Sequence, residues 1–329
     1  MRIVITGGAG FIGRRLTREL LSRGRLSTAV GQEAAISEIV LFDAMAPAVP
    51  PTDPRVKLVQ GDISNAADLR AAISPTTASV FHLAAVVSAG AEADFDLGMR
   101  VNLDGTRLVL EACRALPKTA RVVFTSSIAT YGGNLPEVVT DETPLTPLTS
   151  YGAEKAAGEL LVSDYSRKGF IDGRSLRLPT ITIRPGKPNK AASTWVSSIM
   201  REPLSGQDAV CPVTPDSRMA CLSPRRCVAA LIRAHELPAS AFGASRTILL
   251  PGISVSAREM AAAVARHAGN RKLGQIRWEP DPLIQKIVDG WPKGSASARA
   301  AALGFEPDAS IDEIVRGFIE DELNPAAQA

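Results

Sequence analysis

Cysteine and histidine are scarce in this chain of 329 residues, with four of the first and three of the second. Cys113, Cys211, Cys221 and Cys227 form no CxxC pair, and the histidines are too scattered for a metal cluster, so no metal site is read here. Free thiols in a reducing cytosol are the expectation. No apolar run approaches the ~18 residues a membrane span requires. The start, MRIVITGG, is too short in apolar residues before its glycines to form a signal-peptide core. Blocks of one charge are also missing. With 37 Lys and Arg against 34 Asp and Glu, the net charge is +3, and no basic stripe is available to track nucleic-acid phosphates. These absences exclude nucleic acid and membrane as partners and point to a soluble, cytoplasmic protein.

What is present is core-forming. An apolar content of 45% with 22% charged residues suits one large domain, or one domain with an appended lobe. Short β-branched runs, RIVIT (2–6), EIVLFD (38–43), VKLVQGD (56–62), SVFHLAA (79–85), RVVFTSS (121–127) and SLRLPTITI (175–183), alternate with segments of helical period. These segments are FIGRRLTRELLSRG, NAADLRAAI, GMRVNLDGTRLVLEACRAL and YGAEKAAGELLVSDYSRKG. Six strands with helical crossovers predict an α/β fold, a doubly wound parallel (Rossmann) sheet. After about residue 184 the alternation gives way to Pro-, Ser- and Arg-rich text. Residues 1–184 are therefore read as the dinucleotide-binding and catalytic domain. Residues 185–329 are read as mainly a smaller substrate lobe with C-terminal helices, some segments of which return to the sheet. SAREMAAAVARHAG and SIDEIVRGFIEDEL read as helices with Ser caps.

The loop TGGAGFIG follows the first strand and opens the first helix. Gly7, Gly10 and Gly13, three apart, allow a sharp turn, close approach of a pyrophosphate to the backbone, and tight packing of helix on strand. The unpaired N–H groups of the first helical turn then face the phosphate. Asp43 ends the second strand, where a carboxylate accepts both ribose hydroxyls, and Ala44 follows it in place of a basic residue; both features favour NAD over NADP. The interval from Gly13 to Asp43 exceeds the usual ~20 residues, so RLSTAVGQEAAIS is an insertion.

Tyr151 and Lys155 stand one helical turn apart in TSYGAEKAAGE, downstream of a strand that ends in Ser126 and Ser127. A tyrosine of ordinary pKa, about 10, is a poor base near neutrality; an adjacent ammonium that stabilises the phenolate would lower that value. The set suits removal of a proton from an alcohol while hydride leaves the same carbon, with Ser127 holding the oxygen. A bare YxxxK more often marks a solvated helix face; here the glycine loop and the serine strand end favour catalysis.

TGGAGFIG, Asp43, GD at 61–62, HLAA at 82–85, VNLDGT at 101–106, TSSIATYG at 125–132 and YGAEK at 151–155 together resemble the extended short-chain dehydrogenase/reductase family, over residues 1 to about 185 and weakly again near the C-terminus. The resemblance implies Ser127, Tyr151 and Lys155 as the catalytic set. It implies that Phe11 and Ile12 join the glycines at the cofactor, that Asp62 and Ile63 flank the adenine, that Leu83, Ala84, Ala85 and Pro179 line the cofactor, and that Lys155 also bonds the nicotinamide ribose. Asn102 is expected at the cofactor or as a buried organiser of the site, and His82 as a buried core histidine. The helices near 96–116 and 151–168 resemble those that form the family's homodimer.

Nucleotide-sugar relatives usually carry an Asn after the sixth strand and a later RDFIHVDD-like pattern. Here RLPTITIRPG and SRMACLSPRR stand in their places, surrounded by Arg184, Asn189, Lys190, Ser193, Thr194, Arg218, Arg225 and Arg226. Arg grips carboxylates with paired hydrogen bonds, which suggests a small sugar acid, with Arg184 and Arg218 as the candidate ligands. RLPTITIRPGKPNKAAS with REPLSGQDAVCPV resembles the branch of the family that oxidises D-erythronate. That resemblance implies NAD-dependent oxidation at C2, with Ser88, Ser127, Tyr151 and Arg184 around the substrate. A nucleotide-sugar epimerase that retains NAD, and a non-catalytic NAD-sensing protein, are the alternatives.

Overall fold

The computed structural model describes residues 1–47, 49–186 and 193–324; Asn189 and Lys190 lie outside these. The chain divides into two compact units.

The first unit comprises residues 1–130, 149–177 and 228–248. Its sheet contains β1 (Arg2–Thr6), β2 (Glu38–Asp43), β3 (Val56–Gln60), β4 (Thr77–His82), β5 (Arg121–Ser127), β6 (Asp172–Leu178) and β7 (Thr247–Leu249), in the order β7-β6-β5-β4-β1-β2-β3. Pairing is parallel from β5 through β4, β1 and β2 to β3. Six strands are predicted from sequence and seven are found, because the short run Thr247–Leu249 adds an edge beside β6. The order reverses at the β1–β4 pair, which opens the crevice in which doubly wound sheets bind ligands.

Strand residues Val4, Val40, Val80 and Val122 pack with Leu69, Val109 and Val162 of the helices in one buried cluster, as expected of a parallel sheet covered by helices. These helices are α2 (Ala66–Ala72), α3 (Gly105–Arg114) and α4 (Ser150–Arg167), while α1 (Phe11–Arg23) buries Leu16 and Leu20. A π-helical turn, Met99–Asp104, leads into α3. The insertion after α1 folds as an antiparallel hairpin, Arg25–Ser27 against Glu33–Ala35.

The second unit comprises residues 131–148, 178–227 and 249–329. A three-stranded sheet of Thr180–Ile181, Arg218–Leu222 and Ile253–Ser256 shares a core with α5 (Thr194–Leu204), α6 (Ala257–Arg266) and α7 (Ile311–Phe318), through residues such as Trp195, Ile199, Met219, Met260 and Ile314. The predicted Ser caps are present: Ser256 and Glu259 form a reciprocal capping box, and Ser310 accepts the Glu313 N–H. All four cysteines are buried free thiols. Among the described residues, no helix is long and apolar enough to cross a membrane.

Candidate active site

The glycine loop leaves β1 with Gly7 at φ 68°, a conformation glycine adopts without strain. A Cβ on Gly7 would lie 2.8 Å from the Ala84 backbone nitrogen, and one on Gly13 would lie 2.6 Å from the Gly7 carbonyl. The cradle formed by the loop, the β4 exit and the start of α1 therefore closes this tightly only because side chains are missing. Gly10 is the N-cap of α1 and offers no side-chain cap, and the first turn carries no acidic residue. Its backbone N–H groups are thus directed at whatever anion the loop receives. Asp43 stands beside this loop at the end of β2, where its Oδ2 accepts the Ala9 N–H at 3.1 Å and its Oδ1 the Met45 N–H. Phe11 and Ile12, half-buried, begin α1. The chain's residues fit a dinucleotide.

Across the crevice, the β4 exit is fixed by a hydrogen-bonded chain centred on His82. The Ala84 N–H and the His82 Nδ1 both meet the Thr6 hydroxyl, at 3.3 and 2.7 Å. On the other side of the ring, Nε2 meets the Thr106 hydroxyl at 2.9 Å, and that hydroxyl donates to the Asn102 carbonyl. Thr106 spends its proton on Asn102, so Nε2 carries the ring proton and Nδ1 accepts from Thr6. Burial holds the imidazole neutral, its pKa lowered to about 3, with the Lys155 charge adding to the effect. His82 is the core histidine the sequence suggested, and it ties Ala84 to Asn102.

Asn102 is fully occupied with protein partners rather than facing a ligand. Its Oδ1 accepts the Val86 N–H at 2.8 Å, and its Nδ2 donates to the Val86 carbonyl at 3.0 Å and to Glu154 Oε2 at 2.7 Å. Of the two roles read for it, the structure shows the organising one: it clamps the segment that follows Leu83, Ala84 and Ala85. Ser88 opens the short helix Ser88–Ala93 just beyond, half-buried. Asp62 turns back on its own loop, its Oδ1 accepting the Ser64 N–H and hydroxyl, which lowers its pKa; Ile63 beside it is buried against Gly105.

Ser127, Tyr151 and Lys155 come together within the first unit. Thr149 caps α4 by accepting the Gly152 N–H, which places Tyr151 in the first turn and Lys155 in the second. The Ser127 side chain lies near enough to the Tyr151 hydroxyl to lower its pKa. Lys155 is buried, donates from Nζ to the Thr125 carbonyl at 2.9 Å, and lies 5.6 Å from the centre of the Tyr151 ring and 4.7 Å from that of Phe124. Burial lowers the Lys155 pKa to about 8, against the opposing pull of Glu154 and Glu159.

One expectation needs correction. The sequence suggested a tyrosine made more acidic by Lys155; in the chain without cofactor, burial pushes the Tyr151 pKa up to about 12, the Ser127 side chain pulls it down, and the Glu154 charge pushes it up again. The first cause is burial, since a dry environment penalises the phenolate; the Lys155 ammonium is bonded to the Thr125 carbonyl.

Two carboxylates absent from the sequence reading surround this set. Glu159 accepts from Ser126 Oγ at 2.5 Å and receives Arg177 through Nε and Nη2, so the end of β5 is bolted to α4 immediately beside Ser127. Glu154 is the Asn102 partner described above. Spacing announces only one of them: Glu159 lies one turn beyond Lys155, at i+4, whereas Glu154 is its chain neighbour and leaves the helix in another direction.

The remaining candidates belong to the second unit. Pro179 is buried and packs against Gly252. Arg218 donates to Ser254 and pairs with Glu259 at 3.1 Å, so its guanidinium is engaged within that unit. Arg225 pairs with Glu320 and Asp321, and Arg226 with Glu306. Arg184 is half-buried, with its backbone held between Ser197 and Arg201; burial and the Arg201 charge lower its pKa.

With this geometry in view, the profile of the NAD dependent epimerase/dehydratase family matches residues 3–239. The chain belongs to that family. Its curated relatives include a protein of Cupriavidus necator named D-erythronate dehydrogenase, 54% identical over 98% of each chain. Another of that name, from Haemophilus influenzae, is 44% identical over 98% of this chain and all of the relative. Among solved structures, one described as a nucleoside-diphosphate-sugar epimerase from Agrobacterium tumefaciens is 43% identical and superposes with a TM-score of 0.90 over 98% of this chain and 94% of that one. A GalE-like L-threonine dehydrogenase from Cupriavidus necator, 24% identical with a TM-score of 0.83 over 97% of this chain and 99% of that one, shares the fold. As a member of this family the protein is an NAD-dependent oxidoreductase.

Proposed function

We propose that this chain is a cytoplasmic dehydrogenase that oxidises D-erythronate at C2 to 2-dehydro-D-erythronate. The observation that carries the reading is the 54% identity, over 98% of each chain, to a protein named D-erythronate dehydrogenase, in a chain whose own Ser127, Tyr151 and Lys155 are assembled in one unit with the glycine cradle. The bound nicotinamide supplies the hydride acceptor. The rest is the work of the protein's side chains. Ser127 holds the C2 hydroxyl oxygen. Tyr151 takes the hydroxyl proton as C2 gives up its hydrogen with both electrons, so that a carbonyl forms and charge balances. Lys155 keeps a positive charge beside the phenolate that must exist at that moment, and in a dry pocket that charge is worth more than it would be in water. Arg184 is assigned to the substrate carboxylate in preference to Arg218, whose guanidinium Ser254 and Glu259 already occupy. Ser88 completes the substrate set.

In this reading the protein is a homodimer joined through the helices near 96–116 and 151–168, which is supported by the exposure of Leu160 (71%) on α4. The test is a panel of four-carbon and uronic acids assayed for reduced nicotinamide with NAD and NADP in parallel. D-Erythronate with NAD is expected to give the highest kcat/KM; no reduction with any acid would overturn the proposal. The epimerase reading is favoured by the description of the 43% identical structure. It requires cofactor that stays bound and nucleotide-sugar epimers that interconvert without net reduction.

A further inference from the structure

The charges buried around Lys155 form a set that the reaction as described does not use in full. Glu159 is neutralised by Arg177 through a bond of 2.7 Å. Glu154 is 2% exposed; one oxygen accepts from Asn102, and among the described residues the other, Oε1, has no hydrogen-bond partner. Gly98 lies against it, so close that a Cβ there would come within 2.5 Å of Oε1. An anion held dry with half its acceptor capacity unmet is costly unless a buried cation offsets it. Lys155, 1% exposed and hydrogen-bonded to a neutral carbonyl, is a cation with the matching deficit.

Among the described residues, Glu154 and Glu159 are the carboxylates that act on Lys155, and of the two only Glu159 has a guanidinium of its own, that of Arg177. His82 is neutral. On the elements packed against α4, Glu92, Asp96, Arg100, Asp104, Arg107 and Arg114 face solvent. Glu111 receives the Tyr165 hydroxyl, and Arg121 pairs with Asp172.

We propose that Glu154 is a positioning residue for the dehydrogenase reaction: its buried carboxylate, with one oxygen unpaired, is a counter-charge to the buried Lys155 ammonium beside Tyr151, while its bond to Asn102 holds the Val86 clamp. The inference rests on the Tyr–Lys–Ser reading above and separates two roles of one side chain. Glu154→Gln keeps an oxygen for Asn102 but removes the charge. Asn102→Ala keeps the charge but removes the clamp.

Removing the charge eases loss of the Lys155 proton and eases ionisation of Tyr151, since Glu154 raises the pKa of both groups. The account therefore predicts that both limbs of the pH profile of kcat/KM for D-erythronate move to lower pH in Glu154→Gln. In Asn102→Ala the limbs stay in place while the Kd for NAD rises several-fold. Direct NAD titration by calorimetry, from neutral to alkaline pH, provides a readout that needs no turnover: the pH at which affinity falls should drop in Glu154→Gln. Limbs and binding inflection that superpose on those of the wild type would overturn the proposal, as would a Glu154→Asp variant that behaves like the Gln variant although its charge is restored. If the wild type oxidises no sugar acid, the substrate assignment fails while the NAD titrations still decide the role of Glu154.

Discussion

The Lys155 ammonium donates to the main-chain carbonyl of Thr125 at 2.9 Å, two residues before Ser127. This bond ties α4 to the end of β5, and so Lys155 is registered on the strand that carries Ser127. Several consequences can be measured.

Tyr151→Phe removes the proton acceptor but leaves the ring in its place. A loss of roughly 10²–10⁴-fold in kcat is expected, the range for a positioned acid or base, with an unchanged thermal midpoint and retained NAD binding. Steady-state kinetics with a melting curve decides this; activity close to that of the wild type would remove Tyr151 from the chemistry.

Asp43 holds the glycine loop through Ala9 and is read as the ribose ligand. Asp43→Ala should raise the Kd for NAD about tenfold, the worth of one charge-assisted hydrogen bond, and narrow the preference over NADP. Parallel titrations with the two cofactors give both numbers.

Gly7 has positive φ, and a Cβ would strike the Ala84 nitrogen. Gly7→Ala is expected to cost about 1–3 kcal/mol of stability and to displace the β4 exit, so that added NAD no longer raises the melting temperature. Stabilisation by NAD equal to that of the wild type would show that the loop tolerates a side chain.

Arg184→Leu should raise KM for D-erythronate roughly tenfold to a hundredfold, with NAD affinity unchanged. Arg218→Leu should instead alter stability, since its partners are Ser254 and Glu259. The opposite result would exchange the two assignments.

Burial holds His82 and His235 neutral, with pKa values lowered to about 3 and about 4 from the usual 6.5. The unfolded chain protonates them first, so their contribution to stability is complete above pH 6.5 and is lost as the pH falls toward 4 and then 3. Urea melts across that window should show falling midpoints, with a shallower slope in His82→Gln.

Local rules made part of this molecule readable from its sequence. Gly7 and Gly13 announce their roles because only backbone fits where they stand, and Tyr151 with Lys155 is defined by one helical turn. The seventh strand was not readable: Thr247–Leu249 is three residues long, and only the β6 edge makes it a strand. A return of C-terminal segments to the sheet was expected, but not which ones: that residues 228–248 rejoin the first unit and 131–148 join the second was not readable, since periodicity reports element type and not the layer in which an element packs. The upward shift of Tyr151 depends on burial and on the nearby Glu154 charge, and Asn102 and Glu154 are bonded to one another; such facts appear only in three dimensions.

The central claim is hydride removal from C2 of a sugar acid with release of reduced cofactor. D-Erythronate carrying deuterium at C2, incubated with the enzyme and NAD, tests it most directly by mass spectrometry of the nicotinamide product. The account predicts one deuterium per reduced cofactor and one 2-keto acid formed for each. Reduced cofactor without the label, or label retained in the acid with no net reduction, would contradict it.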